Sequence, residues 1–342
     1  MQLTQILITA SNAILPIILL ILFGYWLRRI GFLSEEFVKV GNKFVFNVCL
    51  SCSMFVNVYN IGGLSAIKWD FVIYIVAVIM ALFFVGLIVA IASTKKNCRR
   101  GVILQGIFRS NFAILGLSLA SALGGAEAES TAAVASAFAI PLFNVLGVIA
   151  LTVFSESDDK KAHSLKSVLI SIAKNPMIIG AVLGMACLLI RELQKALSGD
   201  VFFSVKADLP IIYTAVSNLK SITTPLALVV LGAQFKFSAV KGMFREILAG
   251  TLGRILLAPA IGVGGAILLC SCTDWLSFGI NEYPALIGLF GSPTAISGAV
   301  MAGQMGGDEQ LATQIVVWSS LGSILTIFLQ TCILMAMGLL PI

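Results

Sequence analysis

Charge is what this chain has least of. Asp, Glu, Lys and Arg together make up 11% of its 342 residues, too few to cover a soluble domain or to hold a chain in the disordered state. Histidine occurs once, at His163 in the connector SESDDKKAHS, and a lone loop histidine reads as solvated. H-E-x-x-H and G-x-S-x-G are both absent, as is any pair of facing intramembrane acids, so the hydrolytic chemistries those patterns serve have no residues to carry them. No catalytic residue is expected. The seven cysteines are an odd number. Cys49 and Cys52 form C-x-x-C, and Cys270 and Cys272 form C-x-C, but no His or carboxylate cluster completes a ligand set, so they read as small packing residues between helices and not as a metal site.

What is present is apolar. Hydrophobic residues reach 59% and the mean hydropathy is +1.03, which places the chain among polytopic membrane proteins. The net charge of +6 is carried in short clusters between apolar runs and forms no stripe for nucleic acid; the lipid bilayer is the expected environment. MQLTQILITASNAILPIILL has no Lys or Arg before its apolar run and no A-x-A cleavage site, so it reads as a first spanning helix that stays attached. With roughly 20 apolar residues per span, ten spans are expected near 10–30, 37–58, 69–93, 101–122, 129–154, 165–191, 208–233, 242–270, 284–305 and 310–339.

One glycine-rich segment occurs twice. GIFRSNFAILGLSLASALGG (106–125) and GLFGSPTAISGAVMAGQMGG (288–307) align without a gap at an offset of 182 residues, with nine identities in twenty. Pro16 and Gly24 recur with the spacing of Pro176 and Gly184, and LSCSMFV around Ser51 aligns with TPLALVV around Pro225. The duplication therefore covers five spans per half: 1–154, then a cytoplasmic linker at 155–164, then 165–342. An odd span count inserts the halves in opposite orientations, so an inverted repeat is expected. With the N-terminus outside, the cytoplasmic loops carry fourteen Lys and Arg and the outer loops four. That bias satisfies the positive-inside rule and puts both termini outside the cytoplasmic membrane.

Gly/Pro-interrupted segments in corresponding positions of two halves point to the substrate site of a secondary transporter. Arg109-Ser110-Asn111 interrupts the fourth span, beside Phe112; Gly291-Ser292-Pro293-Thr294 interrupts the ninth, where Pro293 removes a donor and disfavours helix at the residue before it. Unwound backbone persists in a membrane only inside protein or around a cavity. Two crossing breaks would present N–H ends that suit an anion and carbonyl ends that suit a cation. Candidate substrate contacts are Arg109, Ser110, Asn111, Phe112, Ser292, Pro293, Thr294 and Ser297 at the breaks. Asn47 and Ser51 of the second span, with Ser53, and Asn144 of the fifth are further candidates, each with a plain helix-to-helix hydrogen bond as the alternative. Among the intramembrane cations, Lys174 and Lys220 lie near enough to span ends to snorkel. Arg254 reads equally as reaching the cytoplasmic interface or pairing a substrate carboxylate. No Asp or Glu lies in the middle of a span, and Asp308 and Glu309 sit where they would cap the last helix. A buried carboxylate is the usual mark of proton coupling. Its absence leaves transport driven by substrate charge and membrane potential, or a cation site made of carbonyls and amides; no cofactor is expected, and Na+ or H+ coupling stays open.

The runs RSNFAILGL (109–117), KNP (174–176), PLALVVLGAQF (225–235) and SPTAISGAVMAGQMGGDEQLATQIVVWSSL (292–321) resemble the auxin efflux carrier family, in its bacterial malate/malonate permease branch. The resemblance covers essentially the whole chain. It implies a ten-helix all-α fold of two inverted five-helix repeats with broken crossover helices four and nine. Spans 1, 2, 6 and 7 would form a scaffold, often dimeric, and spans 3–5 and 8–10 a transport domain that moves as an elevator. The family's crossover Asn maps onto Asn111 and its second crossover element onto Ser292-Pro293-Thr294. Many relatives have Pro at the positions of Ser51 and Ser118, plant members have a second crossover Asn at the position of Pro293, and their long cytoplasmic loop is replaced here by a short linker. The expectation is a homodimeric secondary carrier of a small organic anion such as malate or malonate. Alternatives are a sodium-coupled symporter of a steroid-like or neutral solute, a carrier of an auxin-like aromatic carboxylate, a channel, and a membrane-embedded enzyme.

Overall fold

The computed structural model describes residues 15–16, 19–60, 68–154, 170, 173–235, 237–273 and 275–340. The connector with His163, Lys160, Lys161 and Lys166 lies outside the described residues, as do positions 1–14. Among the described residues the chain is helical, and its one β feature is an isolated bridge between Ser110 and Thr294. Six helices among the described residues are long and apolar enough to cross a membrane.

Helix α1 occupies 19–29. Helix α2 joins Glu35–Phe44, a π-helical turn at Val45–Cys49, and Leu50–Tyr59; α3 is Trp69–Ser93. Helix α4a is Asn97–Phe108. After a break, the π-helical turn Phe112–Gly116 runs on into Leu117–Val153, where Gly125 at φ 71° bends the chain and divides α4b from α5. Only glycine takes that backbone angle without strain. Helices α6 (Pro176–Ser198) and α7 (Pro210–Gln234) follow. Helix α8, Phe244–Cys272, contains two π-helical turns, Gly253–Leu257 and Ala260–Gly264. Helix α9a is Glu282–Leu286 with the π-helical turn Ile287–Gly291, α9b is Ile296–Gln304, and α10 is Glu309–Ala336.

The expected ends of the third, seventh, eighth and tenth spans fall within a few residues of α3, α7, α8 and α10. The sixth runs past its expected end: residues 165–169, 171 and 172 of that span lie outside the described ones, and α6, which starts at Pro176 with the Asn175 side chain accepting from the Met177 N–H at 3.0 Å, runs on to Ser198. Proline at N1 suits a helix start, and Gly199, at φ 80°, ends the helix later than the apolar run does. Asp308 is the N-cap of α10, its carboxylate accepting from the Leu311 N–H. Glu309 does not cap. Its Oε1 accepts from Asn42 Nδ2 at 2.6 Å and Gln234 Nε2 at 2.8 Å, tying α10 to α2 and α7.

Two close crossings repeat. Gly24 of α1 lies against the Val229 carbonyl of α7, and Gly184 of α6 against the Phe55 carbonyl of α2. Gly24 aligns with Gly184 and Phe55 with Val229 in the duplicated sequence, so the same contact is made twice between the halves, each half supplying the glycine once and the carbonyl once. Helix α3 packs on α4a, and α8 packs on α4a and α10. Arg99 joins their ends: Nη1 to Glu246 Oε1 at 2.8 Å and Nε to Asp308 Oδ2 at 2.9 Å. Because backbone cannot yield to an added Cβ as a flexible side chain can, Gly24→Val and Gly184→Val should each cost about 1–3 kcal/mol, read as a lower thermal midpoint in detergent.

Candidate substrate cavity at the paired helix breaks

The two breaks pair as a short antiparallel ladder. The Asn111 N–H donates to the Pro293 carbonyl at 2.9 Å, and the Ala295 N–H to the Arg109 carbonyl at 3.1 Å. Further out, the backbones of Gly116 and Gly288 face each other. The bridge is centred on Ser110 and Thr294, and the pair beside it, Asn111 and Pro293, are the residues that the 182-residue offset makes equivalent. Arg109 and Ser292 leave the helical region at ψ 106° and ψ 150°, the latter as expected for a residue before proline.

Many of the freed backbone groups find partners, as hydrocarbon requires. Thr294 donates its N–H to Ser319 Oγ at 3.1 Å, and its Oγ1 to the Gly106 carbonyl at 2.8 Å; Ser292 Oγ donates to the Gly288 carbonyl. Arg254, 0% exposed, serves five of the carbonyls. Nε donates to the Ser292 carbonyl at 2.9 Å, Nη1 to Ile107 at 3.1 Å and Phe108 at 3.3 Å, and Nη2 to Leu289 at 3.0 Å and Phe290 at 2.6 Å.

On the other side of the ladder lies a cavity of about 70 Å³, lined by both breaks (Arg109, Ser110, Asn111 and Ala295–Ser297), by Ile140, Phe143 and Asn144 of α5, and by residues of α2 and α7. Arg109 is 3% exposed. Its guanidinium donates to Asn144 Oδ1 at 2.5 Å, Ser297 Oγ at 3.0 Å and Met301 Sδ at 2.6 Å. All three acceptors are neutral, and none of the ion pairs among the described residues includes Arg109. Ser110 Oγ is buried without a hydrogen-bond partner. Asn144 Nδ2 donates to the Ile140 carbonyl and to Met54 Sδ, both at 2.9 Å, so its carbonyl oxygen is aimed at Arg109. The first turn of α9b lines the cavity too, and the leading N–H groups of a helix have no intrahelical acceptor. Such a site offers an anion a fixed cation, a hydroxyl and a helix N-terminus.

Of the residues expected at the site, Arg109, Ser110, Asn111, Ser297, Asn144 and Ser53 line this cavity. Phe112, Ser292, Pro293 and Thr294 are in the ladder or packed behind it. Arg254 spends all five N–H groups on carbonyls. Asn47 Nδ2 donates to the Lys43 carbonyl and Ser51 Oγ to the Asn47 carbonyl, each at 2.9 Å along their own helix, and neither lines the cavity. Helix α2 presents Leu50 and Met54 beside the expected Ser53, while α7 presents Thr223, Thr224 and Ala227. Thr224 and Ala227 are the repeat equivalents of Leu50 and Ser53, so the alignment of Ser51 with Pro225 already held the signal for the α7 face. A Cβ on Gly147 would lie 2.7 Å from Arg109 Nη1. Gly147→Val should push the guanidinium off Asn144 and weaken anion affinity by about tenfold, roughly 1.4 kcal/mol, in ligand-dependent thermal shifts.

Helices broken in pairs around a buried polar cavity define the class: a multi-pass membrane transport protein. The chain matches the membrane transport protein family over residues 9–163 and 151–331, and it belongs to that family, the auxin efflux carriers. It is 26% identical over 320 residues to an uncharacterised transporter, YfdV, of Escherichia coli K12, covering 92% of this chain and 94% of the relative. It is also 26% identical over 257 residues to an uncharacterised transporter, MJ1031, of Methanocaldococcus jannaschii, covering 73% and 76%.

Proposed function

We propose that this protein is a secondary carrier of a small organic anion, such as malate, malonate or another carboxylate, across the cytoplasmic membrane. The observation that carries this reading is Arg109: a buried cation among neutral acceptors, beside an unpartnered Ser110 hydroxyl, at the rim of a cavity. Burying an unpaired charge costs several kcal/mol, and a carboxylate that enters the cavity repays that cost with charge-assisted hydrogen bonds.

In the same reading ten spans form two inverted repeats, with α4 and α9 as crossover helices and both termini outside. The duplicated contacts of Gly24 and Gly184 and the meeting of equivalent residues Asn111 and Pro293 support the symmetry. The cavity lies between α2 and α7 on one side and the breaks with α5 on the other, which is where an elevator would hold substrate as α3–α5 and α8–α10 slide against a homodimeric scaffold of α1, α2, α6 and α7. Glu309 bridges those two groups through Asn42 and Gln234. Glu309→Ala should release that contact and change the counterflow rate while leaving substrate affinity within about twofold, because the site is elsewhere.

The test is counterflow in liposomes with a panel of mono- and dicarboxylates, a neutral solute and an aromatic carboxylate. Exchange confined to small carboxylates is the expected result. Exchange of the neutral solute alone, or no exchange of any anion, would sink the reading.

A further inference from the structure

The carbonyl ends of α4a and α9a converge on one point, and that point is filled by Arg254. Helix C-termini carry partial negative charge, and in carriers with broken helices such ends, together with unwound carbonyls, are where a coupling cation is coordinated. Here five carbonyl oxygens, from Ile107, Phe108, Leu289, Phe290 and Ser292, stand 2.6–3.3 Å from the guanidinium nitrogens. A guanidinium has five N–H donors in a fixed fork, and each is used once. Arg254 is carried by the π-helical turn Gly253–Leu257 of α8. Its counterpart in the first half, α3, contains no Lys or Arg, so a single side chain serves both repeats.

We infer that Arg254 is the resident cation of the helix crossing: its guanidinium holds the carbonyl cage that a free monovalent cation would otherwise occupy, so the crossing assembles and the carrier cycles without sodium. The two arginines then divide the work. Arg254 balances the carbonyl ends permanently, and Arg109 is left to meet the substrate. The structural half of this inference stands on the crossing alone; its consequence for uptake rests on the carrier reading.

Purified protein is compared in sodium chloride and in choline chloride at equal ionic strength. The wild type should unfold at the same temperature in both, and its carboxylate counterflow should run at the same rate. Arg254→Ala should unfold about 10 °C lower, and sodium or millimolar methylguanidinium, but not choline, should restore much of that loss. Sodium-specific stabilisation of the wild type, or a folded Arg254→Ala that responds to neither cation, overturns the inference. If Arg254→Ala does not fold, the wild-type comparison decides alone. Counterflow that requires sodium defeats the role of Arg254 and leaves the carrier reading intact; absence of counterflow defeats the carrier reading and leaves the thermal result standing.

Discussion

Arg109→Gln should lower the affinity for carboxylate about 100-fold, to the point where counterflow at ordinary substrate concentration is lost, while the protein still folds. A hydrogen bond to a charged group contributes about 1.5–3 kcal/mol net, and a bidentate guanidinium–carboxylate pair lies at the upper end, which is the origin of the estimate. Gln keeps a donor for Asn144 Oδ1 and Ser297 Oγ, so the loss falls on the charge and not on packing. Stability should move the other way. Arg109 has only neutral acceptors within the protein, and replacing an uncompensated buried charge by a polar group of similar shape is neutral or stabilising. A thermal midpoint equal to or above that of the wild type, together with lost carboxylate-dependent shifts, is the expected pair of readings. Arg109→Lys keeps the charge without the fork and should fall between. Unchanged counterflow in Arg109→Gln would remove the residue from the site.

That opposition between the two buried arginines is only half legible in the sequence. Hydropathy places α3, α7, α8 and α10 to within a few residues, since a membrane span is set by length and apolarity alone. The breaks are legible because Arg109-Ser110-Asn111 and Ser292-Pro293-Thr294 interrupt apolar helices, and their pairing because the copies align without a gap. Arg254 is not legible. Its partners lie 35 to 147 positions away in the chain, and only the meeting of α4a with α9a brings their carbonyls to one place. Of the α2 face only Ser53 is legible, for a local reason. The π-helical turn at Val45–Cys49 inserts a residue into the helical register, so that Leu50, Ser53 and Met54 turn toward the cavity, while Asn47 and Ser51 bond back along the helix.

The crossing itself predicts the largest loss of stability. Gly116 and Gly288 face each other with backbone against backbone: a Cβ on Gly288 would lie 2.5 Å from the Gly116 carbonyl oxygen, and one on Gly116 would lie 2.9 Å from that of Gly288. No rotamer relieves such a contact, because Cβ is fixed by the backbone. The wedge must force α4b away from α9a, stretching the Asn111–Pro293 and Arg109–Ala295 hydrogen bonds and pulling the carbonyl ends away from Arg254. Gly288→Ala should cost about 2 kcal/mol and Gly288→Val about 4 kcal/mol or more, enough to leave little folded protein after detergent extraction. Gly264, in the second π-helical turn of α8, has open space where a Cβ would stand, with no neighbouring atom within 4 Å. Gly264→Ala should therefore be neutral or slightly stabilising, since alanine is the better helix former. Thermal unfolding of the three variants separates backbone approach at the crossing from a general preference for small residues in membrane helices. If Gly288→Val and Gly264→Ala unfold alike, the two helices do not meet where Gly116 and Gly288 place them, and the cation cage beside them loses its geometry as well.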